Sequence, residues 1–196
     1  MKKYNKVLVL TAHPDDLELS CGGTVKKFVD QGTTVVNLIL CGDVPHARWV
    51  EEASAVLGYS PIIFNYRDHH PTSQVVEDIE YKLKMSTYDL IITHWSEDWH
   101  QDHRFCHEIA NTLRRKQPID VWYMNAYPYC HKYKSFERNI YVDISDQVED
   151  KVDAIECYRN VPIVWAGYTT YMSKLNGAFV GVEDAEVFKV DTLLYS

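Results

Sequence analysis

Residues 6–40 read KVLVLTAHPDDLELSCGGTVKKFVDQGTTVVNLIL, and this stretch determines the expected architecture. Val7 to Thr11 have the length and apolar character of a buried strand, and Thr33 to Leu40 are rich in β-branched residues. Between them, residues 20–31 place apolar side chains on one helical face and end before Gly32. A strand, a helix and a second strand in this order predict two parallel strands joined by a crossover helix.

The rest of the chain repeats this alternation. The further predicted elements are helices at 47–57, 73–85, 103–115 and 146–159 and strands at 61–64, 89–93, 120–125 and 139–144. The order predicts an α/β fold: a Rossmann-like, doubly wound, mostly parallel sheet with helices on both faces. Residues 126–138 and 160–182 are rich in Tyr, Pro and Gly, and we predict loops there.

Length and composition narrow the class of protein. The 196 residues suit one domain that spans 1–196 and buries a substantial core. A net charge of -8 argues against partners such as nucleic acid or an anionic membrane. We find no segment with the length of a signal peptide or a membrane span, so we expect a cytoplasmic protein. The five scattered cysteines include no CxxC pair, which argues against a disulfide framework.

Polar side chains directly follow the first predicted strand. His13 and Asp16 have a spacing at which two side chains of a turn converge on one metal ion, and Pro14 restricts the backbone between them. Asp15 points elsewhere and is available to accept a proton as a general base. An Asp pair after a strand is otherwise a turn or a helix cap, so the metal interpretation depends on a second motif.

The sequence HQDH at residues 100–103 is that second motif, and it follows another predicted strand. His103 is the candidate third ligand, which completes the three protein ligands and open position of a catalytic metal site. His100 would lie near the open position, to stabilise an oxyanion or to protonate a leaving amine. Asp102 would hold His100 by its other ring nitrogen. His94 is an alternative ligand, although we interpret it as supporting or structural.

Both motifs follow the carboxyl ends of predicted parallel strands. Ligands bind at these ends in doubly wound sheets, at the point where the strand order reverses. We therefore expect the two strands to be neighbours and the two motifs to meet at one site.

The motifs resemble those of a known family. AHPDDLELSCGGT at 12–24 and EDWHQDH at 97–103 resemble the signatures of the LmbE/PIG-L family of zinc-dependent N-acetylglucosaminyl deacetylases. Further resemblance lies in RWVEEA at 48–53, KVDAIECY at 151–158 and GVEDAEVF at 181–188, so it spans nearly the whole chain. Many relatives have Pro where this chain has Gln101, and Glu where it has Leu17, but neither departure removes a ligand or the base.

The resemblance implies specific roles for the residues of both motifs. The implied Zn²⁺ ligands are His13, Asp16 and His103. The implied catalytic residues are the general base Asp15 and the transition-state stabiliser His100 with its orienting partner Asp102. The implied substrate contacts are Arg48 and Asp68; alternatively, Arg48 is an exposed residue at a helix start and Asp68 a turn residue.

The resemblance also implies a reaction. It is the removal of an N-acetyl group from a small-molecule amino sugar of the N-acetylglucosamine type, or its conjugate, by water that the metal activates. Other divalent ions such as Fe²⁺ also suit two imidazoles and a carboxylate. The assembly implied by the family is a homo-oligomer, a trimer or a hexamer. Two alternatives stay open: a metal-dependent hydrolase of another small amide, and a metal-binding or nucleotide-binding module without catalysis.

Overall fold

The computed structural model describes residues 2–42, 46–66, 71–116, 118–126 and 135–190. Within these residues, seven strands form one sheet and six α-helices flank it. The strands are β1 Lys6–Thr11, β2 Thr34–Ile39, β3 Ser60–Ile63, β4 Leu90–His94, β5 Asp120–Met124, β6 Ile140–Asp143 and β7 Ala185–Val190. The helices are α1 Asp16–Asp30, α2 Ala47–Leu57, α3 Thr72–Lys82, α4 Gln101–Leu113, α5 Val148–Glu156 and α6 Ile163–Val180.

The sheet has the order β3-β2-β1-β4-β5-β7-β6. The pairs β1/β2, β1/β4, β2/β3 and β4/β5 are parallel, whereas β7 runs antiparallel to β5 and β6. The predicted α/β fold is therefore confirmed: the sheet is Rossmann-like and mostly parallel, with helices on both sides. The strand β7 was not predicted; it lies between β5 and β6 and runs antiparallel to both.

The two faces of the sheet carry separate cores. Leu8 and Leu10 pack with residues of α3 and α4, while Val7 and Val9 pack with residues of α1, α2 and α5. These four side chains of β1 are all fully buried. Burial on both faces explains why this strand has a continuous apolar sequence and not an alternating one.

The prediction of a loop at 160–182 was wrong, because α6 occupies most of that segment. Pro162 precedes its first turn, and Gly181 ends it with a φ of 79°. Of the nine exposed large hydrophobic side chains among the described residues, seven lie on α6. Apart from Met172, the buried residues of α6 are polar or small, so the helix lacks the buried apolar stripe that reveals helices in a sequence. The predicted loop at 126–138 lies mostly outside the described residues.

The strand order locates the functional end of the sheet. Since β2 lies on one side of β1 and β4 lies on the other, the order reverses between β1 and β4. The expected proximity of the two motif-bearing strands is thus confirmed. None of the described helices is both long enough and apolar enough to cross a membrane.

Candidate active site

A cavity of about 290 Å³ opens at the carboxyl ends of β1 and β4. It is lined by residues of both motifs and of three further segments, namely His13, Pro14, Asp15, Asp16, Leu19, Cys41, His46, His100, His103, Asn160 and Trp165. The segments that contribute the two motifs lie far apart in sequence and meet here because β1 and β4 pair directly.

Asp16 lies at the centre of the polar cluster and is buried. Its Oδ2 atom accepts hydrogen bonds from the backbone N–H groups of Ala12, at 3.1 Å, and His13, at 2.7 Å. Burial alone would raise the pKa of Asp16, but the charges and hydrogen bonds of His103, His94 and His13 hold it well below its usual range. Asp16 is therefore a fixed negative charge in the protein interior.

Two histidines each direct one ring nitrogen at Asp16 and the other at a second carboxylate. His13 donates from Nε2 to Oδ2 of Asp102 at 3.0 Å, and its Nδ1 lies 3.6 Å from Oδ2 of Asp16. His103 donates from Nδ1 to Oδ2 of Asp98 at 2.9 Å, and its Nε2 lies 3.4 Å from Oδ1 of Asp16. Carboxylates that hold the far nitrogen in this way are typical of metal-ligating histidines, because they orient the ring and raise its basicity.

Asp98 was not predicted as a site residue. Besides His103, its carboxylate accepts a hydrogen bond from the backbone N–H of His100 at 2.7 Å, and its side chain is buried. In the sequence, Asp98 is one of two acids between β4 and α4, and nothing in the spacing distinguishes it from the other, Glu97. Only the folded loop reveals that Asp98, and not its neighbour, supports His103.

His100 and Asp102 contact each other differently from the prediction. The carboxylate of Asp102 lies 3.8 Å from Nδ1 of His100 and nearer to His13, whereas the backbone N–H of Asp102 donates to that Nδ1 at 3.3 Å. An accepting Nδ1 places the proton of neutral His100 on Nε2. Burial lowers the pKa of His100, and the neighbouring His103 and His13 lower it further. His100 is therefore a neutral N–H donor beside the cavity near pH 7.

His94 packs against the cluster from β4. Its fully buried ring stacks on that of His103 at a centroid distance of 3.9 Å, and its Nε2 lies 3.2 Å from Oδ2 of Asp16. Burial, and then His103, lower the pKa of His94 to about 4, so the ring is neutral. Its position agrees with a supporting role and leaves its alternative role as a ligand open.

Asp15 has a strained backbone. Among the described residues it is the one non-glycine residue with a positive φ, at 92°, a conformation that costs free energy and is common at functional sites. Although Asp15 occupies the N-cap position of α1, its side chain makes no capping hydrogen bond. Burial, followed by the charges of Asp16 and Glu18, raises the pKa of Asp15 to about 8. A cation bound nearby would lower that pKa again.

The donor set fits a divalent cation. Two groups of potential ligand atoms lie within 4.8 Å of one another, one from His13, His100 and His103 and one from Asp16, His94 and His103. Burial would lower the pKa of His103, yet Asp16 and Asp98 raise it to about 10. The cluster thus attracts positive charge, which a metal ion supplies as well as a proton does. Imidazole nitrogens and a carboxylate suit Zn²⁺ and Fe²⁺.

The structure does not bring the predicted substrate contact Arg48 into the cavity. Its side chain is 76% exposed and its Nε donates to Oε1 of Glu52 at 2.9 Å. Asp68 lies outside the described residues. Among the lining residues that sequence reasoning missed are His46, Asn160 and Trp165. They come from segments without a motif, so no local signal marked them.

Comparison with known proteins identifies the family. A family model described as PIG-L, GlcNAc-PI de-N-acetylase, matches residues 8–113. The chain belongs to the PIG-L family. In this PIG-L protein the matched residues run from β1 to the end of α4, and they include both motifs.

Solved structures share the fold of this PIG-L protein. The conserved protein TT1542 from Thermus thermophilus aligns with a TM-score of 0.81 and 22% identity, over 97% of this chain and 96% of that one. The N,N'-diacetylchitobiose deacetylase from Pyrococcus horikoshii aligns with a TM-score of 0.76 and 24% identity, over 95% and 84%. GalB, the 4-carboxy-2-hydroxymuconate hydratase from Pseudomonas putida KT2440, aligns with a TM-score of 0.79 and 16% identity, over 98% of each chain. A deacetylase and a hydratase thus share this fold, and the fold alone does not determine the reaction.

Proposed function

We propose that the protein is a metal-dependent N-deacetylase that removes the acetyl group from an N-acetylglucosamine-type amino sugar or its conjugate. The observation that carries this proposal is the convergence of His13, Asp16 and His103 in one cavity that Asp15 and His100 also line. The family description and the chitobiose deacetylase among the structural neighbours support the choice of reaction and substrate class.

His13, Asp16 and His103 would hold the metal ion, with Zn²⁺ as the first choice. When bound, the ion acts as a Lewis acid and makes water a stronger nucleophile near neutral pH. Asp102 and Asp98 hold the far nitrogens of His13 and His103, so the near nitrogens face Asp16 and would be free to bind the ion beside it.

Asp15 would act as the general base. It accepts one proton from the attacking water while the water oxygen forms a bond to the acetyl carbon. The absence of a capping hydrogen bond leaves the Asp15 carboxylate available for this task, and the strained backbone presents it to the cavity. A positioned base of this kind contributes on the order of 10²–10⁴ to the rate.

His100 would stabilise the transition state. Its Nε2–H donates a hydrogen bond to the acetyl oxygen as negative charge develops there. The carbon–nitrogen bond then breaks, and the leaving nitrogen takes a proton from Asp15 or His100. The products are acetate and the free amine.

The other lining residues would recognise the sugar. The cavity of about 290 Å³ is small and matches a single sugar ring more closely than an extended ligand. Trp165 offers an aromatic face for the apolar side of the ring, and His46 and Asn160 offer polar atoms for hydroxyl groups.

Acetate release tests this proposal. Protein freed of metal and then reconstituted with Zn²⁺ or Fe²⁺ is incubated with free N-acetylglucosamine, N,N'-diacetylchitobiose, and nucleotide-linked and lipid-linked derivatives. We expect metal-dependent release of acetate from at least one of them. If one ion is bound per chain and no derivative releases acetate, the proposed reaction is wrong, and another small amide or a binding role takes its place.

A further inference from the structure

Helix α1 is broken one turn after it begins. Cys21 has a φ of -144° and a ψ of 19°, which are not helical. The break leaves backbone groups on both sides without the partners that a continuous helix provides. On the far side, the N–H of Gly23 donates to Oε1 of Glu186 at 3.1 Å, and the N–H of Thr24 donates to Oε2 of the same carboxylate at 2.7 Å.

Lys151 satisfies the near side of the break. Its Nζ donates to the backbone carbonyl of Leu19 at 3.1 Å and to Oε1 of Glu186 at 2.6 Å. Both members of this ion pair are buried, with 3% of each residue exposed. The pair thus connects α5 and β7 to the two halves of α1 at the break.

Polar side chains line a small cavity next to the pair. The side chains of Ser20, Asn125 and Asn176 line a small cavity of about 10 Å³ together with Lys151 and Glu186. All three are almost fully buried. A buried ion pair is often no better for stability than an apolar pair of the same volume, so the presence of this pair calls for a reason beyond stability.

The segment before the break is the part of α1 that carries the candidate metal ligand Asp16 and the candidate base Asp15. Within it, the N–H of Leu19 donates to the carbonyl of Asp15 at 3.0 Å, and the carbonyl of Leu19 accepts a hydrogen bond from Nζ of Lys151. Since the break separates this turn from the rest of the helix, these bonds tie the end of the turn to α5 and β7. The chain of contacts therefore runs from Glu186 through Lys151 and Leu19 to Asp15.

We propose that the buried pair Lys151–Glu186 positions the Asp15–Asp16 turn and thereby sets the metal affinity and the turnover of the site. The expected effects on metal affinity and turnover rest on the proposed function, whereas the positioning itself rests on the contacts at the break in α1. Neither residue touches the cavity, so each acts through the backbone of α1 and not on the substrate.

Three variants test the role of the pair. Glu186→Gln and Lys151→Met each remove one member, and the double variant Lys151→Met/Glu186→Leu leaves no unpaired charge behind, which protects folding. Asp120→Asn is the matched control: Asp120 is also buried and accepts from Lys2 and from the hydroxyl of Tyr4. It lies at the amino end of β5, whereas the site lies at the carboxyl ends of β1 and β4.

Two readouts separate positioning from stability. Chelator competition measures the affinity for Zn²⁺. We expect this affinity to fall by on the order of 10–100-fold in all three variants, as for other residues that orient metal ligands. We also expect kcat to fall while KM changes little, because the sugar contacts are untouched. Affinity and kcat within twofold of the Asp120→Asn control, at a matched loss of stability to urea, would overturn the proposal.

Hydrogen exchange gives a readout that needs neither metal nor substrate. The amide hydrogen of Leu19 bonds to Asp15 and therefore reports on the Asp15–Asp16 turn. We expect its protection factor against exchange to be roughly fivefold to tenfold lower in the variants than in the control, as for one lost hydrogen bond. Unchanged protection overturns the proposal even if the wild-type protein binds no metal. Wild-type protein that neither binds metal nor releases acetate contradicts the proposed function instead, so the two failures are distinguishable.

Discussion

Two neighbouring carboxylates in this protein have opposite electrostatic environments. The histidines around Asp16 outweigh its burial and hold its pKa well below the usual range, whereas burial and the charges of Asp16 and Glu18 raise the pKa of Asp15 to about 8. Acids whose environments separate their pKa values in this way commonly divide catalytic tasks between them. This difference supports the proposal that Asp16 binds the metal and that Asp15 transfers the proton.

Removing the support of one candidate ligand is predicted to weaken metal binding. In Asp98→Asn the charge that orients His103 is lost, and we expect the affinity for Zn²⁺ to fall about 10–100-fold in a chelator competition. Asp89→Asn is the control, because Asp89 accepts the backbone N–H groups of Asn5 and Lys6 beside the amino end of β4. Equal affinities for the two variants would show that Asp98 does not act on the metal site.

His100 is predicted to affect the rate and not the metal. We expect His100→Ala to lower kcat about 10²–10³-fold, as for the loss of one oxyanion donor, while one ion per chain stays bound. Steady-state kinetics and metal analysis of the same sample measure both quantities. Loss of the ion would instead make His100 a ligand, which the group of His13, His100 and His103 atoms also allows.

Among the helices, α6 offers a matched pair of glycines. A Cβ atom at Gly167 would meet nothing within 4 Å, whereas one at Gly177 would lie 2.6 Å from the backbone oxygen of Glu183. Gly167→Ala is expected to stabilise the protein by about 0.5–1 kcal/mol through helix propensity. Gly177→Ala is expected to destabilise it by about 1–3 kcal/mol, because a backbone oxygen cannot move aside.

Urea denaturation of both variants measures these changes. Both glycines lie in one helix, so the difference between the two changes in unfolding free energy reflects local packing and not a general property of α6. The same sign of change in both variants would contradict the close approach of α6 to the residues before β7.

Helices with one apolar face could be predicted from the sequence, and α2 was predicted with its observed bounds. The helix α6 could not, because its large apolar side chains are mostly exposed and its buried positions carry polar residues such as Thr169, Ser173 and Asn176. The start of α1 was placed several residues late for a related reason. The break at Cys21 interrupts the periodicity, and the contacts that stabilise it come from Glu186, far along the chain.

For the molecule as a whole, the parallel sheet and the meeting of the two motifs followed from a general rule. Each motif follows a buried strand, and parallel strands end at one edge of a sheet. The other lining residues depend on contacts that no local pattern encodes. His46 and Asn160 are an example: their side chains lie 3.4 Å apart in the lining of the cavity, yet 114 positions separate them in sequence.

Metal binding is predicted to stabilise the entire fold, because the candidate ligands join the ends of β1 and α4. At a free metal concentration of 100 times Kd, the gain is about 2.7 kcal/mol, and a chain of this size then shows a rise in Tm of roughly 5–10 °C. Calorimetry with and without Zn²⁺ measures the shift. The same rise in His13→Ala, which lacks one candidate ligand, would contradict the proposed ligand set.

In the proposed mechanism, Asp16 binds the metal and Asp15 acts as the base. Metal content and acetate release, both measured on one sample of Asp15→Asn, are the decisive test of these two roles. We predict one bound ion per chain, as in the wild type, and turnover that is lower by about 10²–10⁴-fold. Full turnover would show that Asp15 is not the base, and loss of the ion would show that it is a ligand.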